Sequence, residues 1–175
     1  MEFKIATTEI ETKMCDDLLT KLIQFEAKID TNINSTIVVK DCYKNYLNST
    51  ERKIFIATQN NQVVGFCPIV IKTEKTVVKP IIFLQALFVE QNFRHQKVAT
   101  RLIETIENWA KENFNNSLLE LEALNNNTYA FDFYRNLGFA PIRTTLRKNV
   151  NQPEKKNDLE WNRFCSVYGA FFINF

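Results

Sequence analysis

Residues 81–114 read IIFLQALFVEQNFRHQKVATRLIETIENWAKENF, and this stretch decides the fold. Its first nine residues, Ile81 to Val89, are apolar on both faces, which is typical of a central strand covered on two sides. A polar turn with the basic run RHQK at residues 94–97 follows, and apolar residues then recur at helical spacing to about Phe114. Such an order places backbone N–H groups at a helix N-terminus, where anions such as phosphate bind.

Composition limits the class of protein. The chain has 175 residues, 45% of them hydrophobic, which favours one packed domain over residues 1–175. The formal net charge of +2 argues against a nucleic-acid binder. Four scattered cysteines and a single histidine make a metal site improbable and fit a reducing cytoplasm. No apolar run is long enough to span a bilayer, so we expect no membrane partner.

Strand and helix patterns alternate along the rest of the chain. They predict an α/β protein with a mixed, mostly antiparallel central sheet flanked by helices. Asn60-Asn61 is the predicted turn of a hairpin, and Gly138 the predicted cap of a helix. The further predicted strands cover residues 3–6, 53–58, 62–71, 117–124, 139–148 and 167–175, and the further predicted helices cover residues 12–25, 38–47 and 127–137.

Two motifs carry a family resemblance. The first is the turn from Arg94 to Ala99, and the second joins Asn127, Ala130 and Tyr134 to a following Gly-Phe pair. Their order and spacing resemble the acetyl-CoA-binding core of the GNAT superfamily of N-acetyltransferases. The GNAT turn has Gln or Arg, two variable residues, Gly, one variable residue, then Gly or Ala. Arg94 and Ala99 match, whereas Lys97 replaces the first glycine.

The resemblance implies a set of residues that bind acetyl-CoA. Main-chain groups of the strand before the turn contact the pantetheine arm, amides of the turn contact the pyrophosphate, and the asparagine of the second motif contacts CoA. Lys97 either supplies charge in place of the glycine, which we favour, or marks a weakened site. The predicted set is Leu87, Val89, Arg94, His95, Gln96, Lys97, Val98, Ala99, Thr100 and Asn127.

Amide formation from a thioester needs a proton acceptor for the amine and a proton donor for the thiolate. The resemblance assigns the donor to Tyr134. Glu122 is the predicted acceptor, because ribosomal-protein N-terminal acetyltransferases of the GNAT class carry a glutamate at that offset. A carboxylate buried on a sheet also takes up a proton more readily near neutral pH. Glu90, Glu120 and water are the alternatives.

The resemblance therefore implies an acetyl-CoA-dependent N-acetyltransferase in which a primary amine attacks the thioester directly. The offset of Glu122 favours a protein or peptide α-amine as acceptor, with aminoglycosides and polyamines left open. The alternative is a non-catalytic acyl-CoA-sensing module, which the missing glycine favours. An aromatic last strand, predicted at residues 167–175, could also pair across a homodimer edge.

Overall fold

A mixed sheet of six strands lies at the centre of the computed structural model, which describes residues 1–150. The strand order is β1-β2-β3-β4-β6, with β5 also paired to β3. All pairs are antiparallel except β4 with β6, so the predicted mixed and mostly antiparallel sheet is confirmed. The elements are β1 (Glu2–Ile5), α1 (Glu9–Glu26), β2 (Arg52–Gln59), β3 (Gln62–Lys72), β4 (Ile81–Leu84), β5 (Phe88–Val89), α2 (Val98–Asn113), β6 (Leu118–Leu121) and α3 (Thr128–Asn136).

The two long helices cover opposite faces of the sheet. Side chains alternate between faces along a strand. On β2, Phe55 and Ala57 belong to a buried cluster with the apolar side of α2, whereas Ile54 and Ile56 belong to a second cluster with α1. Both faces of the central strands are therefore buried, as their continuous apolar runs predicted.

Helix α1 begins three residues before the predicted start because of a capping box. The Thr8 hydroxyl accepts a hydrogen bond from the Glu11 amide at 3.2 Å, and the Glu11 carboxylate accepts one from the Thr8 amide at 3.1 Å. Glu11 also pairs with Lys4 on β1 at 2.7 Å. The Thr-x-x-Glu pattern that marks such a helix start is present in the sequence.

The predicted helix over residues 38–47 is wrong. Only a short 3₁₀ turn, Lys44–Tyr46, forms there. The amides of Asp41, Cys42 and Tyr43 face the carboxylate of Asp16, which is buried on α1, and they favour its charged form. Amides that turn toward a side chain in this way are not available to a helix, and Asp41 adopts a left-handed φ of 54°.

The end of the described segment also differs from the prediction. Residues 139–148 form no strand, because every residue from 141 to 150 is exposed and Pro141 cannot donate to a ladder. Residues Met1–Ala140 form one compact unit, and residues 141–150 belong to a separate one. The extension of a single domain over residues 1–175 stays a prediction, and the predicted strand at 167–175 lies outside the described residues.

The predicted hairpin and the predicted last helix are confirmed. Asn60 and Asn61 have φ values of 51° and 60°, which suit a two-residue hairpin turn between β2 and β3. Helix α3 ends at Asn136, and Gly138 follows with φ 88°, the left-handed conformation that favours glycine.

Candidate active site

The sheet opens at one end of the pair formed by β4 and β6. These parallel strands are in register from Ile81–Leu118 to Leu84–Leu121, and there the pairing stops. The chain beyond β4 continues as β5, which within residues 1–150 pairs with β3 alone. A gap therefore opens between β5 and the segment after β6, and we call it the open end.

An extra residue causes this separation, so the prediction of one strand over Ile81–Val89 is wrong. Leu84 lies opposite Ile69 and Phe88 lies opposite Phe66, which leaves residues 86 and 87 together opposite Cys67. One extra residue in a strand interrupts the ladder and re-aims the chain, and such bulges are frequent beside active sites. The apolar run gave no sign of it.

The backbone of β5 presents polar groups to the open end. The Glu90 amide donates to the Val64 carbonyl at 2.9 Å, and Phe88 pairs with Phe66. Because hydrogen-bonded pairs alternate along an antiparallel ladder, the intervening Val89 turns its N–H and C=O away from β3. Its carbonyl accepts a hydrogen bond from Arg94 Nε at 3.0 Å. The predicted main-chain contact of Val89 with the pantetheine arm requires this orientation. Leu87, the other residue predicted to make such a contact, lies in the bulge.

The basic turn between β5 and α2 contains two left-handed residues. His95 has φ 62° and Lys97 has φ 60°, with Gln96 between them. Lys97 is the N-cap of α2 but gives no side-chain hydrogen bond to the helix. The lysine therefore adopts the backbone conformation for which glycine is normally used, at a cost of about 1–2 kcal/mol.

The turn leaves a run of backbone donors free. Within residues 1–150, the amide of Arg94 bonds the Gln91 carbonyl at 3.3 Å, and the next amide with a backbone acceptor is that of Arg101, which bonds the Lys97 carbonyl at 3.0 Å. The N–H groups of residues 95–100 have no acceptor in that part of the chain. Alternating backbone conformations with successive free N–H groups form an anion-binding concavity, and the helix dipole adds to it.

The side chains of the predicted turn have different environments. Arg94, His95, Gln96 and Lys97 are exposed, Val98 is buried, and residues 99 and 100 are half-buried. Val98 can therefore serve a ligand only through its amide. The Arg94 guanidinium lies 5.5 Å from the Phe88 ring centroid and 5.7 Å from that of Phe25 on α1.

Gly65 on β3 lets the start of α2 approach the sheet. A Cβ at this position would lie 3.3 Å from the Phe88 carbonyl oxygen, 3.3 Å from Val89 Cγ2 and 3.3 Å from Val98 Cγ1. These distances are shorter than ordinary carbon contacts. No motif in the sequence marks Gly65, although it is one of only three glycines in the chain.

Tyr134 is half-buried on α3. Its ring packs edge-on against Phe133 and Phe139, with centroids 5.3 and 5.7 Å away. Burial, followed by the neighbouring Cys67 and Glu26, raises the pKa of the Tyr134 hydroxyl well above its ordinary value. The hydroxyl is therefore protonated at neutral pH, as a proton donor must be.

Asn127 is the N-cap of α3. Its Oδ1 accepts a hydrogen bond from the Ala130 amide at 3.2 Å, which fixes the first turn of the helix that carries Tyr134. The Asn-x-x-Ala spacing thus has a structural role. Contact of Asn127 with CoA stays a prediction.

The carboxylates differ in their surroundings. Glu122 follows the last residue of β6 and is exposed, so the expectation that it is buried is wrong. Glu120 is half-buried on β6. Glu90 forms an ion pair with Lys21 on α1.

Three further polar residues, Tyr46, Gln85 and Glu26, lie near the open end and belong to neither sequence motif. The Tyr46 hydroxyl donates to Gln85 Oε1 at 2.6 Å, which holds the side chain at the start of the bulge. Glu26, in the last turn of α1, is half-buried and interacts electrostatically with Tyr134. A signal for Glu26 exists in the sequence, because it follows the apolar residues of α1 at helical spacing.

Other kinds of site find no support in the described chain. Burial raises the pKa of the Cys15 and Cys67 thiols, and such thiols are inert. Residues 1–150 contain no group of three potential metal ligands and no helix that could span a membrane. A cavity of about 170 Å³ beside Ile54 and Tyr46 is lined by none of the predicted site residues.

Comparison with known proteins identifies the family. The profile of the acetyltransferase (GNAT) family matches residues 20–139, and the chain belongs to that family. No curated protein matches the chain.

Solved structures share the fold at low sequence identity. A tetramutant of the BH1408 protein from Bacillus halodurans is 16% identical, with 86% of this chain and 100% of that chain covered and a TM-score of 0.73. Aminoglycoside 6'-N-acetyltransferase AAC(6')-IG from Acinetobacter haemolyticus is 21% identical, with 87% of this chain and 100% of that chain covered and a TM-score of 0.63. Aminoglycoside N-acetyltransferase AAC(6')-Iy in complex with CoA is 17% identical, with 86% of this chain and 100% of that chain covered and a TM-score of 0.62.

Proposed function

We propose that this protein is an N-acetyltransferase that transfers an acetyl group from acetyl-CoA to a primary amine at the open end of the sheet. The free amides of residues 95–100 carry this proposal. They form an anion site beside the exposed backbone of β5, where a nucleotide pyrophosphate and its extended thiol arm would find partners. Membership of the GNAT family supports this assignment.

The arrangement suits acetyl transfer for three reasons. The Val89 amide, facing the open end, is positioned to donate a hydrogen bond to a thioester carbonyl and so to stabilise the charge that develops on its oxygen. Tyr134 holds a proton that it can donate to a departing thiolate. Arg94, held by the Val89 carbonyl, places a positive charge at the entrance of the anion site.

The acceptor that we propose is a primary amine of either a small molecule or a peptide. The preference for a peptide α-amine rested on Glu122, whose expected burial is absent. The aminoglycoside N-acetyltransferases named above support a small-molecule amine instead, by fold alone. Location in the cytoplasm and formation of a homodimer stay predictions.

A non-catalytic acyl-CoA-sensing module is the second candidate, and Lys97 in place of the turn glycine is the observation in its favour. The left-handed φ of Lys97 weakens that argument, because the backbone has the shape that a glycine would give. A sensor would also have no need of Tyr134 as a proton donor beside the open end.

A turnover assay separates the two candidates. The purified protein is mixed with acetyl-CoA and, separately, with kanamycin, spermidine and tetra-alanine, and release of free thiol is followed together with acetyl-CoA binding by calorimetry. Acetyl-CoA binding with acceptor-dependent thiol release supports the transferase. Binding without release from any acceptor supports the sensing module, and absence of binding contradicts both.

A further inference from the structure

We propose that Glu26 is the base of the reaction: its carboxylate takes the proton from the acceptor amine. This inference rests on the acetyltransferase function proposed above. Under this inference Glu26 takes the role predicted for Glu122, and the acceptor binds on the side of the open end that α1 covers.

The position of Glu26 on α1 directs it toward the sheet. The side of this helix that packs on the sheet carries Cys15, Leu18 and Leu22, and Glu26 follows Leu22 by four residues. Residues four apart lie on the same face of a helix. Glu26 therefore continues the buried stripe, and its half-buried side chain is an acid where an apolar residue would otherwise pack.

Contacts of the neighbouring residues place this last turn at the open end. Lys21 pairs with Glu90, directly after β5, and the Phe25 ring lies against the Arg94 guanidinium. Leu22 packs in the same cluster as Ala86 of the bulge. The end of α1 thus lies alongside the bulge, β5 and the start of the anion-binding turn.

Glu26 and Tyr134 approach the open end from opposite faces of the sheet. Tyr134 packs against the cluster beneath α2, whereas α1 covers the other face. The two side chains nevertheless interact electrostatically, since the charge of Glu26 contributes to the raised pKa of Tyr134. An amine that attacks a thioester in this gap needs a base on its own side and an acid on the side of the departing thiolate. Glu26 and Tyr134 would supply them from the two faces.

The surroundings of Glu26 suit a base. Within residues 1–150 its carboxylate has neither an ion pair nor a hydrogen bond. Burial raises the pKa of the Glu26 carboxyl above its ordinary value of 4.5, which moves it toward neutral pH, where a base works best. The titratable and charged groups on the elements packed around it are Tyr134, Cys67, Arg94 and the Lys21–Glu90 pair.

The proton balance closes with these two residues. Glu26 takes one proton from the acceptor ammonium and later releases it to solvent. The neutral amine attacks the thioester carbonyl, a C–N bond forms, and the C–S bond breaks. Tyr134 gives its proton to the thiolate and regains one from the amide nitrogen, so the products are the amide, CoA thiol and one proton.

Three variants test the assignment: Glu26→Gln, Glu26→Asp and, as a control in the last turn of α2, Glu112→Gln, which changes an exposed glutamate. Each is assayed with the best acceptor among kanamycin, spermidine and tetra-alanine. Glu26→Gln should lower kcat/KM by roughly 10²- to 10⁴-fold and remove the acidic limb of its pH profile. Glu26→Asp should keep the limb, and Glu112→Gln should behave as wild type.

Two readouts do not depend on turnover. Acetyl-CoA affinity should stay within about twofold in Glu26→Gln, since the acceptor side is changed and the anion site is not. Because the folded pKa of Glu26 is raised, ionisation of the group costs stability as the pH rises above 4.5. Glu26→Gln should therefore raise Tm relative to wild type at pH 7.5 and leave it unchanged near pH 4.

The outcomes separate this inference from the function on which it rests. Failure of the wild-type protein to turn over any of the three acceptors contradicts the transferase, and the base assignment falls with it. A wild type that turns over, together with a Glu26→Gln variant of unchanged rate and pH profile, overturns only the assignment to Glu26. If Glu122→Gln, assayed in parallel, then loses the acidic limb, the base is Glu122.

Discussion

The two ends of the parallel pair β4 and β6 differ in what they do with their backbone groups. At the paired end, Ile81 to Leu84 pair with β3 on one side and with β6 on the other, and all of their side chains except that of Phe83 are buried. At the open end, one extra residue before Phe88 separates the chains, and Val89 turns its polar groups into the gap. The same run of apolar residues thus serves first as core and then, under the proposed function, as a binding surface.

Under the proposed function, stability and function depend on different ends of this pair of strands. The paired end buries side chains and satisfies its backbone, so changes there should affect the free energy of unfolding. The open end leaves polar groups unsatisfied, keeps Lys97 in a costly conformation and half-buries the acid Glu26. Local strain and unpaired groups are frequent at functional sites, so changes there should affect ligand binding and turnover.

The largest expected effect is at the paired end. Ile82 on β4 is fully buried, and Ile82→Ala would leave a cavity that the surrounding cluster cannot fill. The free energy of unfolding should fall by about 2–5 kcal/mol, and by only about 0.5–1.5 kcal/mol for the milder Ile82→Val. Urea unfolding measures both. At urea concentrations below the unfolding transition, the acetyl-CoA affinity of both variants should equal that of wild type. A large loss of affinity would contradict the idea that stability and binding depend on different ends.

The next effect is at the open end. Tyr134→Phe keeps the ring packed against Phe133 and Phe139 but removes the proton donor. Turnover should fall on the order of ten- to a thousandfold, with acetyl-CoA affinity and Tm nearly unchanged. Tyr129→Phe, on the exposed side of the same helix, is the matched control and should turn over normally. Equal rates for the two variants would leave Tyr134 with a packing role alone.

A smaller effect concerns the strain in the anion-binding turn. Lys97→Gly should stabilise the free protein by about 1 kcal/mol, because the left-handed conformation costs a lysine more than the added entropy of the unfolded glycine. It should also weaken acetyl-CoA binding and flatten its salt dependence, because an ammonium near the pyrophosphate is lost.

Two controls separate strain from charge in that turn. Lys97→Gln removes the charge and keeps the strain, so it should weaken binding without stabilising the protein. Asn61→Gly replaces a left-handed asparagine in the hairpin turn, and asparagine adopts this conformation more easily than lysine does. Its gain in the free energy of unfolding should therefore be smaller than that of Lys97→Gly. Tighter acetyl-CoA binding by Lys97→Gly would show that the lysine obstructs the site.

The sequence predicted the parts of the fold that rest on local periodicity. The hairpin at Asn60-Asn61, the helix after Lys97 and the cap at Gly138 each depend on a few adjacent residues, and all are confirmed. The helix expected over residues 38–47 does not form, because the amides of residues 41–43 face the distant Asp16 carboxylate. The expected strand over residues 139–148 also failed, because its alternating pattern has no buried face in the described chain.

The sequence predicted only those parts of the candidate site that lie within one contiguous motif. The anion-binding turn and Tyr134 belong to contiguous motifs, whereas the bulge that opens the sheet has no pattern of its own. The exposure of Glu122 and the proximity of Glu26 to Tyr134 depend on how three separate elements meet. Periodicity within one element cannot supply such distances between elements.

Hydrogen–deuterium exchange with and without saturating acetyl-CoA tests the central claim most directly. If the open end binds the ligand, peptides covering residues 85–90 and 94–101 should gain protection, because their free or weakly held amides acquire acceptors. Peptides covering the paired end, residues 81–84 and 118–121, should exchange at the same rate in both states. Binding of acetyl-CoA without protection of residues 94–101 would contradict the account.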